Sequence, residues 1–246
     1  MRYLIGIDDT DNLFTRGTGY RGRQLGRELT QVGFAKVFGI SRHQLFFDPR
    51  VPYTSHNSSL CLEVETERED YLRQYCSAFL ARESAPGSDA GLCIARADNL
   101  PDTVVNWGYR TKRELVTQAE AWQIARAENL FLAGFTGNFD GVIGSLAAVG
   151  LRKAADDGRF VWMEGKDFRQ LTGKCTIEAL RRLIPVDGVV GEDLVLLPEL
   201  TEIDLEGWLR PVLKGGKKLV VIEKYQNNGG FSYKCAGKEL IRKISD

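Results

Sequence analysis

The sequence predicts an α+β or α/β protein of two domains. Three observations carry that prediction. A short apolar run at the N-terminus stops on acid, strand-like and helix-like periodicities alternate through the first half, and near residue 130 the chain turns Gly-rich. Tyr3 to Ile7 (YLIGI) is continuously apolar and bounded by polar residues, which reads as a central strand buried on both faces. The stretch to about Gly22 reads as a loop punctuated by Gly17, Gly19 and Gly22. From Arg23, Leu25, Leu29 and Val32 recur at helical spacing up to a stop at Gly33. Strands are expected over 34–40 and 60–66, a helix over 71–82, a strand over GLCIARA and a helix over 120–129. Nineteen residues, SRHQLFFDPRVPYTSHNSS, separate the second and third strands, and a polar connection of that length is either disordered or functional.

Past residue 130, AGFTGNFDGVIGSLAAVGLRKA offers Asn138 or Asp140 as the cap of a helix whose glycines permit close backbone approach. The remainder reads as strand (FVWME), helix (TIEALRRL), short strands near VVGEDLVLL, a strand at LVVIEKY and a hairpin through NNGGFSYKC. A β-α-β-β unit of this kind is the expected second domain.

Composition narrows the function. Of 246 residues, 43% are hydrophobic and 27% charged, which suits a globular core. Thirty-three basic residues balance thirty-three acidic ones, so no global charge recommends a polyanion partner. The five cysteines are widely spaced, which excludes a structural zinc or dithiol motif and fits reduced thiols. No apolar stretch approaches the ~20 residues of a membrane span. The start MRYLIGIDD meets acid too early for a secretory signal, so a cytoplasmic protein without a membrane partner is expected.

GIDDTD places Asp8, Asp9 and Asp11 just past the predicted central strand, where open α/β sheets hold ligands. Three adjacent carboxylates repel one another unless a cation shares the site. Mg²⁺ suits them, because it takes oxygen ligands and carries substrate phosphates. The plainer alternative is a turn and helix-capping cluster. The same loop supplies Thr10, Arg16, Gly17, Thr18 and Gly19, types that wrap, donate to and pair with an anion, although it is not a P-loop. Both histidines, His43 and His56, fall in the long polar segment with Arg42, Arg50, Tyr53, Ser55, Asn57, Ser58 and Ser59, a donor-rich set suited to a nucleotide or anion. Their spacing does not suggest zinc.

In order along the chain, GIDDTD, the Gly/Thr loop and helix, VPYTSHNSS, APGSDAGLCIA and GVIGSLAAVG resemble the landmarks of the archaeal isoleucine-tRNA agmatinylcytidine synthetases. The resemblance implies that family's first two domains: an atypical kinase-like ATP-binding domain over 1–125 and a ferredoxin-like domain over 126–246. It implies ATP and Mg²⁺ as cofactors, with Asp8, Asp9 and Asp11 matching the family's acidic motif as metal ligands; these three with Thr10 and Thr18 are the candidate catalytic residues. Arg16, Gly17, Gly19, Arg42, His43, His56, Asn57, Ser58 and Ser59 would contact the nucleotide, as would Asn138, Asp140 and Gly141 at a helix N-terminus. The family's enzyme phosphorylates a tRNA cytosine oxygen, and agmatine then displaces the phosphate. Its further OB-fold and zinc ribbon have no match in these residues, which favours a small-molecule or nucleobase-like acceptor over tRNA. The family also carries two consecutive threonines after the acidic motif, one of them phosphorylated. Here the loop reads TRGTGYRGRQ, and autophosphorylation is not carried over.

The expected activity is therefore an ATP-dependent phosphotransferase or ligase acting on a carbonyl or hydroxyl. Two alternatives stand beside it: a non-catalytic RNA- or partner-binding module, and a phosphohydrolase of the haloacid dehalogenase type built on Asp9 and Asp11.

Overall fold

The N-terminal apolar run forms β1 (Arg2–Asp8), buried from Tyr3 to Ile7, as a strand flanked on both sides should be. The computed structural model describes residues 1–51, 56–206, 208–227 and 230–246. It divides into two units, Met1–Ala154 and Ala155–Asp246.

In the first unit β1 is followed by α1 (Thr18–Val32), β2 (Lys36–Gln44), β3 (Ser58–Glu65), α2 (Glu69–Glu83), β4 (Gly91–Arg96), α3 (Asp102–Arg110), α4 (Gln118–Ala127), β5 (Phe131–Gly134) and α5 (Gly141–Ala154). The strand order is β5-β4-β1-β3-β2, and each of these pairings is antiparallel. The rule that places ligands at the carboxyl ends of parallel strands therefore does not apply here. What gathers at the exit of β1 is instead the entry of β3 and β4 and the exit of β2 and β5.

Glycines decide which helix meets which face. A Cβ on Gly6 would sit 1.9 Å from the Ser145 carbonyl oxygen, and one on Gly91 would sit 2.1 Å from the Gly141 carbonyl carbon, so α5 lies with its backbone against β1 and β4. On the opposite face Gly22 and Gly26 of α1 rest on Ile7, Ile40, Leu60 and Leu62. Each glycine costs helix stability of about 1 kcal/mol, offset here by the closeness of packing it permits. Outside α5 lie α3, through Gly108 against Leu151 and Gly150 against Val104, and α4, whose Ala121 joins the same core. The result is three layers: α1 and α2, the sheet, then α5 beneath α3 and α4.

Several expectations change. The helix after the acidic loop begins at Thr18, not Arg23, because Gly22 marks contact with the sheet and not a turn. Its end at Gly33, with φ of 76°, is as expected. The nineteen-residue connection is shorter than it reads, since 41–44 and 58–59 extend β2 and β3. Helix α3 and strand β5 have no counterpart in the local pattern.

The second unit contains β6 (Arg159–Met163), β7 (Lys174–Thr176), α6 (Ile177–Leu183), β8 (Gly188–Val190), β9 (Glu202–Asp204), β10 (Val212–Lys214), β11 (Lys217–Asn227), β12 (Gly230–Cys235) and α7 (Lys238–Ser245). Strand order is β6-β10-β11-β12-β9-β7, with β8 parallel to β11 and β9 parallel to β12. The hairpin expected at NNGG joins β11 and β12, although residues 228–229 of its turn lie outside the described residues. The mixed α/β class stands, but this strand order is more elaborate than the β-α-β-β unit of a ferredoxin-like domain. The division also falls at 154/155, where 125/126 is expected. The physical reason is α5. Its small-residue run is buried along nearly its whole length against the first unit's sheet, so residues 126–154 cannot seed the second core.

Candidate functional site

Asp8 ends β1 on the same face as Gly6. A Cβ on Gly144 would lie 1.8 Å from Asp8 Oδ2, which puts this carboxylate in the first turn of α5. Burial pushes the Asp8 carboxyl well above its ordinary range. The charges of Asp9 and Asp11 add to the shift, against an opposing backbone hydrogen bond at Asp9 and the charge of Arg42. Asp9 turns the chain with φ of 50°, a left-handed conformation that aspartate tolerates better than most residues. Its carboxyl is pushed up to about 6 by burial and then by Asp89, Asp11 and Asp140.

Asp11 is differently placed. Its Oδ1 accepts from the Thr18 amide at 2.7 Å and the Thr18 hydroxyl at 2.8 Å, so it closes the N-terminus of α1. The Thr18 hydroxyl in turn accepts from the Thr10 amide and hydroxyl, both at 3.2 Å. Thr10 and Thr18 are both buried. The stretch expected to be a flexible anion cradle, Arg16 to Gly19, is therefore a helix start: Gly17 is the N-cap and Gly19 lies in the first turn. Arg16 is exposed and stacks 4.6 Å above the Tyr20 ring.

On the other side of β1, the loop before β4 and the loop before α5 are joined. The Ala90 amide donates to Thr136 Oγ1 at 2.9 Å, the Asn138 amide to Asp89 Oδ1 at 2.6 Å, and the Gly141 amide to the Asp89 carbonyl at 2.8 Å. Asn138 and Asp140 bond each other, and the Gln118 side-chain amide donates to the Asn138 carbonyl at 2.6 Å. These bonds hold Asn138, Asp140 and Gly141 at the exit of β1. They also bring in Asp89, Thr136 and Gly144. Asp89 was readable in part: it precedes the apolar run GLCIA as Asp8 follows YLIGI, which in antiparallel neighbours puts the two at one end.

The hairpin of β2 and β3 supplies the third side. His43 is buried, with Nε2 2.8 Å from Ser41 Oγ, and pairs across the strands with Ser59. Arg42 Nε donates to Ser58 Oγ at 2.8 Å. Asn57 is a brace, its side-chain amide donating to the Phe46 carbonyl at 2.7 Å while its own carbonyl accepts from Gln44 and Leu45. His56 is exposed, and Arg50 pairs with Asp48. Tyr53 and Ser55 lie outside the described residues.

Among the described residues, no three His, Cys, Asp or Glu side chains converge as a metal ligand set. Asp8, Asp9 and Asp11 thus do not form a three-carboxylate cage, and an oxygen of Asp11 is engaged by Thr18. Asp8 and Asp9 remain as hard oxygen donors whose charge is poorly compensated. A pair of carboxylates fits Mg²⁺, which commonly takes one or two together with phosphate oxygens.

No family model matches the chain. Among curated proteins it is 28% identical over 152 residues to the tRNA 2-agmatinylcytidine synthetase TiaS of Thermococcus sibiricus, covering 59% of this chain and 34% of the relative. The chain thus spans about a third of the length of that relative. Its fold is similar to TiaS in complex with its isoleucine tRNA and ATP, with a TM-score of 0.55 and 21% identity over 61% of this chain and 36% of that one. It is likewise similar to TiaS in complex with that tRNA, AMPCPP and agmatine, with a TM-score of 0.54 and 21% identity over 61% and 36% of the two chains. Among the described residues, no helix is long and apolar enough to cross a membrane. Sequence and fold point the same way: over about three-fifths of its length the chain is similar to TiaS.

Proposed function

We propose that the first unit binds ATP with Mg²⁺ at the exit of β1 and uses it to phosphorylate, and so activate, a carbonyl or hydroxyl acceptor. The observation that carries this reading is the pair Asp8 and Asp9, two carboxylates held against their preference for water between the N-termini of α1 and α5. Helix N-termini favour phosphate, but carboxylates repel it, and a divalent cation reconciles the two. Asp8 and Asp9 would hold the cation, which when bound neutralises charge on the transferring phosphoryl group. The Thr10 and Thr18 hydroxyls are engaged in closing α1, and the positive end of that helix would favour phosphate oxygens beside it. Phosphoryl transfer asks mainly for such positioning. The TiaS structure solved with ATP supports the nucleotide.

The acceptor is a small molecule or a nucleobase-like carbonyl, and tRNA is the class its relatives act on. The phosphohydrolase alternative loses its geometry, since it requires Asp11 to face the reaction and Asp11 faces Thr18.

Calorimetry with ATP and Mg²⁺ tests the reading. Wild type is expected to bind ATP more tightly with Mg²⁺ than in EDTA, and Asp9→Asn, which keeps shape and backbone conformation, to lose at least about ten-fold in affinity. ATP binding indifferent to Mg²⁺ or to the substitution would sink it.

A further inference from the structure

One group at the site has no function in the arrangement above. Ser59 is fully buried, and its Oγ has no hydrogen-bond partner. Leaving a buried hydroxyl unsatisfied costs about 1–3 kcal/mol, so a partner in another state of the site is the economical explanation.

Strand register says what that partner is. In antiparallel strands, directly opposed residues share a face. Ser41 pairs with Cys61 and Cys61 with Gly6, forming one row across β2, β3 and β1. That row faces α5: Cys61 belongs to the core beneath it with Leu146 and Val149, and Gly6 meets Ser145. The next row on the same face is His43, Ser59 and, one step past the Ile7–Leu60 pair, Asp8. Opposed Cβ atoms lie about 5 Å apart, within reach of a hydroxyl-to-carboxylate hydrogen bond after a side-chain rotation. Asp8 faces α5 as the row requires, with Oδ2 against Gly144. His43 on the other flank is tied to Ser41 Oγ at 2.8 Å.

We propose that Ser59 is a positioning residue: when Mg²⁺ and nucleotide occupy the site, its hydroxyl donates to the Asp8 carboxylate and holds it in the cation-binding orientation. Ser59 acts through Asp8 and does not touch the nucleotide. The inference rests on the ATP and Mg²⁺ reading above and adds to it a residue on a different strand.

The test compares ATP affinity in Mg²⁺ and in EDTA, by calorimetry on the full chain, for wild type, Ser59→Ala, Ser59→Thr, Asp8→Asn and the Ser59→Ala/Asp8→Asn double variant, with unliganded Tm recorded for each. Ser59→Ala is expected to fold with unchanged or higher Tm, because it removes an unsatisfied group. It should lose about ten-fold of the Mg²⁺-dependent affinity while its EDTA value stays at wild type. Ser59→Thr, which keeps the hydroxyl, should recover most of the loss, and adding Ser59→Ala to Asp8→Asn should change nothing further. Equal Mg²⁺-dependent affinity in wild type and Ser59→Ala overturns the inference alone. So does additivity in the double variant. A wild type that gains nothing from Mg²⁺ overturns the underlying reading, and this inference with it.

Discussion

Two helix N-termini flank the same strand exit, and they treat their aspartates in opposite ways. At α1, Asp11 is consumed by structure: it accepts from both the amide and the hydroxyl of Thr18. At α5 the first amide, that of Gly141, is already taken by the Asp89 carbonyl, and Asp8 is pressed against Gly144 while burial pushes its carboxyl well above the ordinary range. One aspartate stabilises a helix, while the other, with Asp9 beside it, holds a carboxyl whose charged form burial disfavours, so two aspartates of one motif sit in opposite environments.

The largest expected effect comes from closing the α5 side. Gly144→Ala would put a methyl on the Asp8 carboxylate, forcing either the helix or the carboxylate to move. A loss of about 2–3 kcal/mol in denaturant unfolding is expected, together with loss of Mg²⁺-dependent ATP binding. A variant with native stability and affinity would mean that Asp8 does not sit in this turn.

Next comes the α1 side. Asp11→Ala should cost about 1–2 kcal/mol by removing the cap and leaving Thr18 without its acceptor. Because Asp11 serves α1, the fall in Mg²⁺-dependent ATP affinity should be smaller than for Asp9→Asn. The reverse order would return Asp11 to the metal.

The smallest effect has the opposite sign. The Asp9 carboxyl ionises at about 6 in the folded protein against an ordinary value of 3.8, so the native state holds its proton where the unfolded chain has lost it. Stability from this group is full below about pH 4, falls as pH rises between the two values, and is gone above about 6. Asp9→Asn removes that loss. The variant should be more stable than wild type by about 1–2 kcal/mol at about pH 7.5, after allowing for solvent screening of a partly exposed group, and equal to it near pH ~3.5. Thermal melts at the two pH values, without Mg²⁺, measure the difference. A gain independent of pH would assign it to something other than Asp9 ionisation.

Much of this was readable from local pattern. YLIGI is a central strand with acid at its end, Gly33 stops α1 and the GVIGSLAAVG glycines are close-approach points, because burial on two faces, left-handed φ and missing Cβ atoms each restrict which residues fit. What misled were features with two local meanings. Gly17, Gly19 and Gly22 look like a loop, yet Gly22 is the flat side of a helix pressed on Leu60. DTVVNWGYR is short and carries a glycine mid-run, yet Val104 and Trp107 bury it as α3 against α5. Asp89 has little local to mark it, since it is the pairing of β4 with β1, and not its neighbours in sequence, that brings it to the end of the strand where Asp8 and Asp9 stand.

The sequence by itself determined that three aspartates stand at the end of a buried strand, that helices start on either side of them, and that the chain's landmarks resemble those of TiaS. These are properties of short segments, and short segments encode burial, caps and turns. Only the tertiary structure decided which aspartate is bound and which is left under strain, that α5 belongs to the first unit, and that Ser59 lies in register beside Asp8. Those depend on antiparallel pairing and on helix-to-sheet contact between residues far apart in the chain, distances that no local periodicity carries.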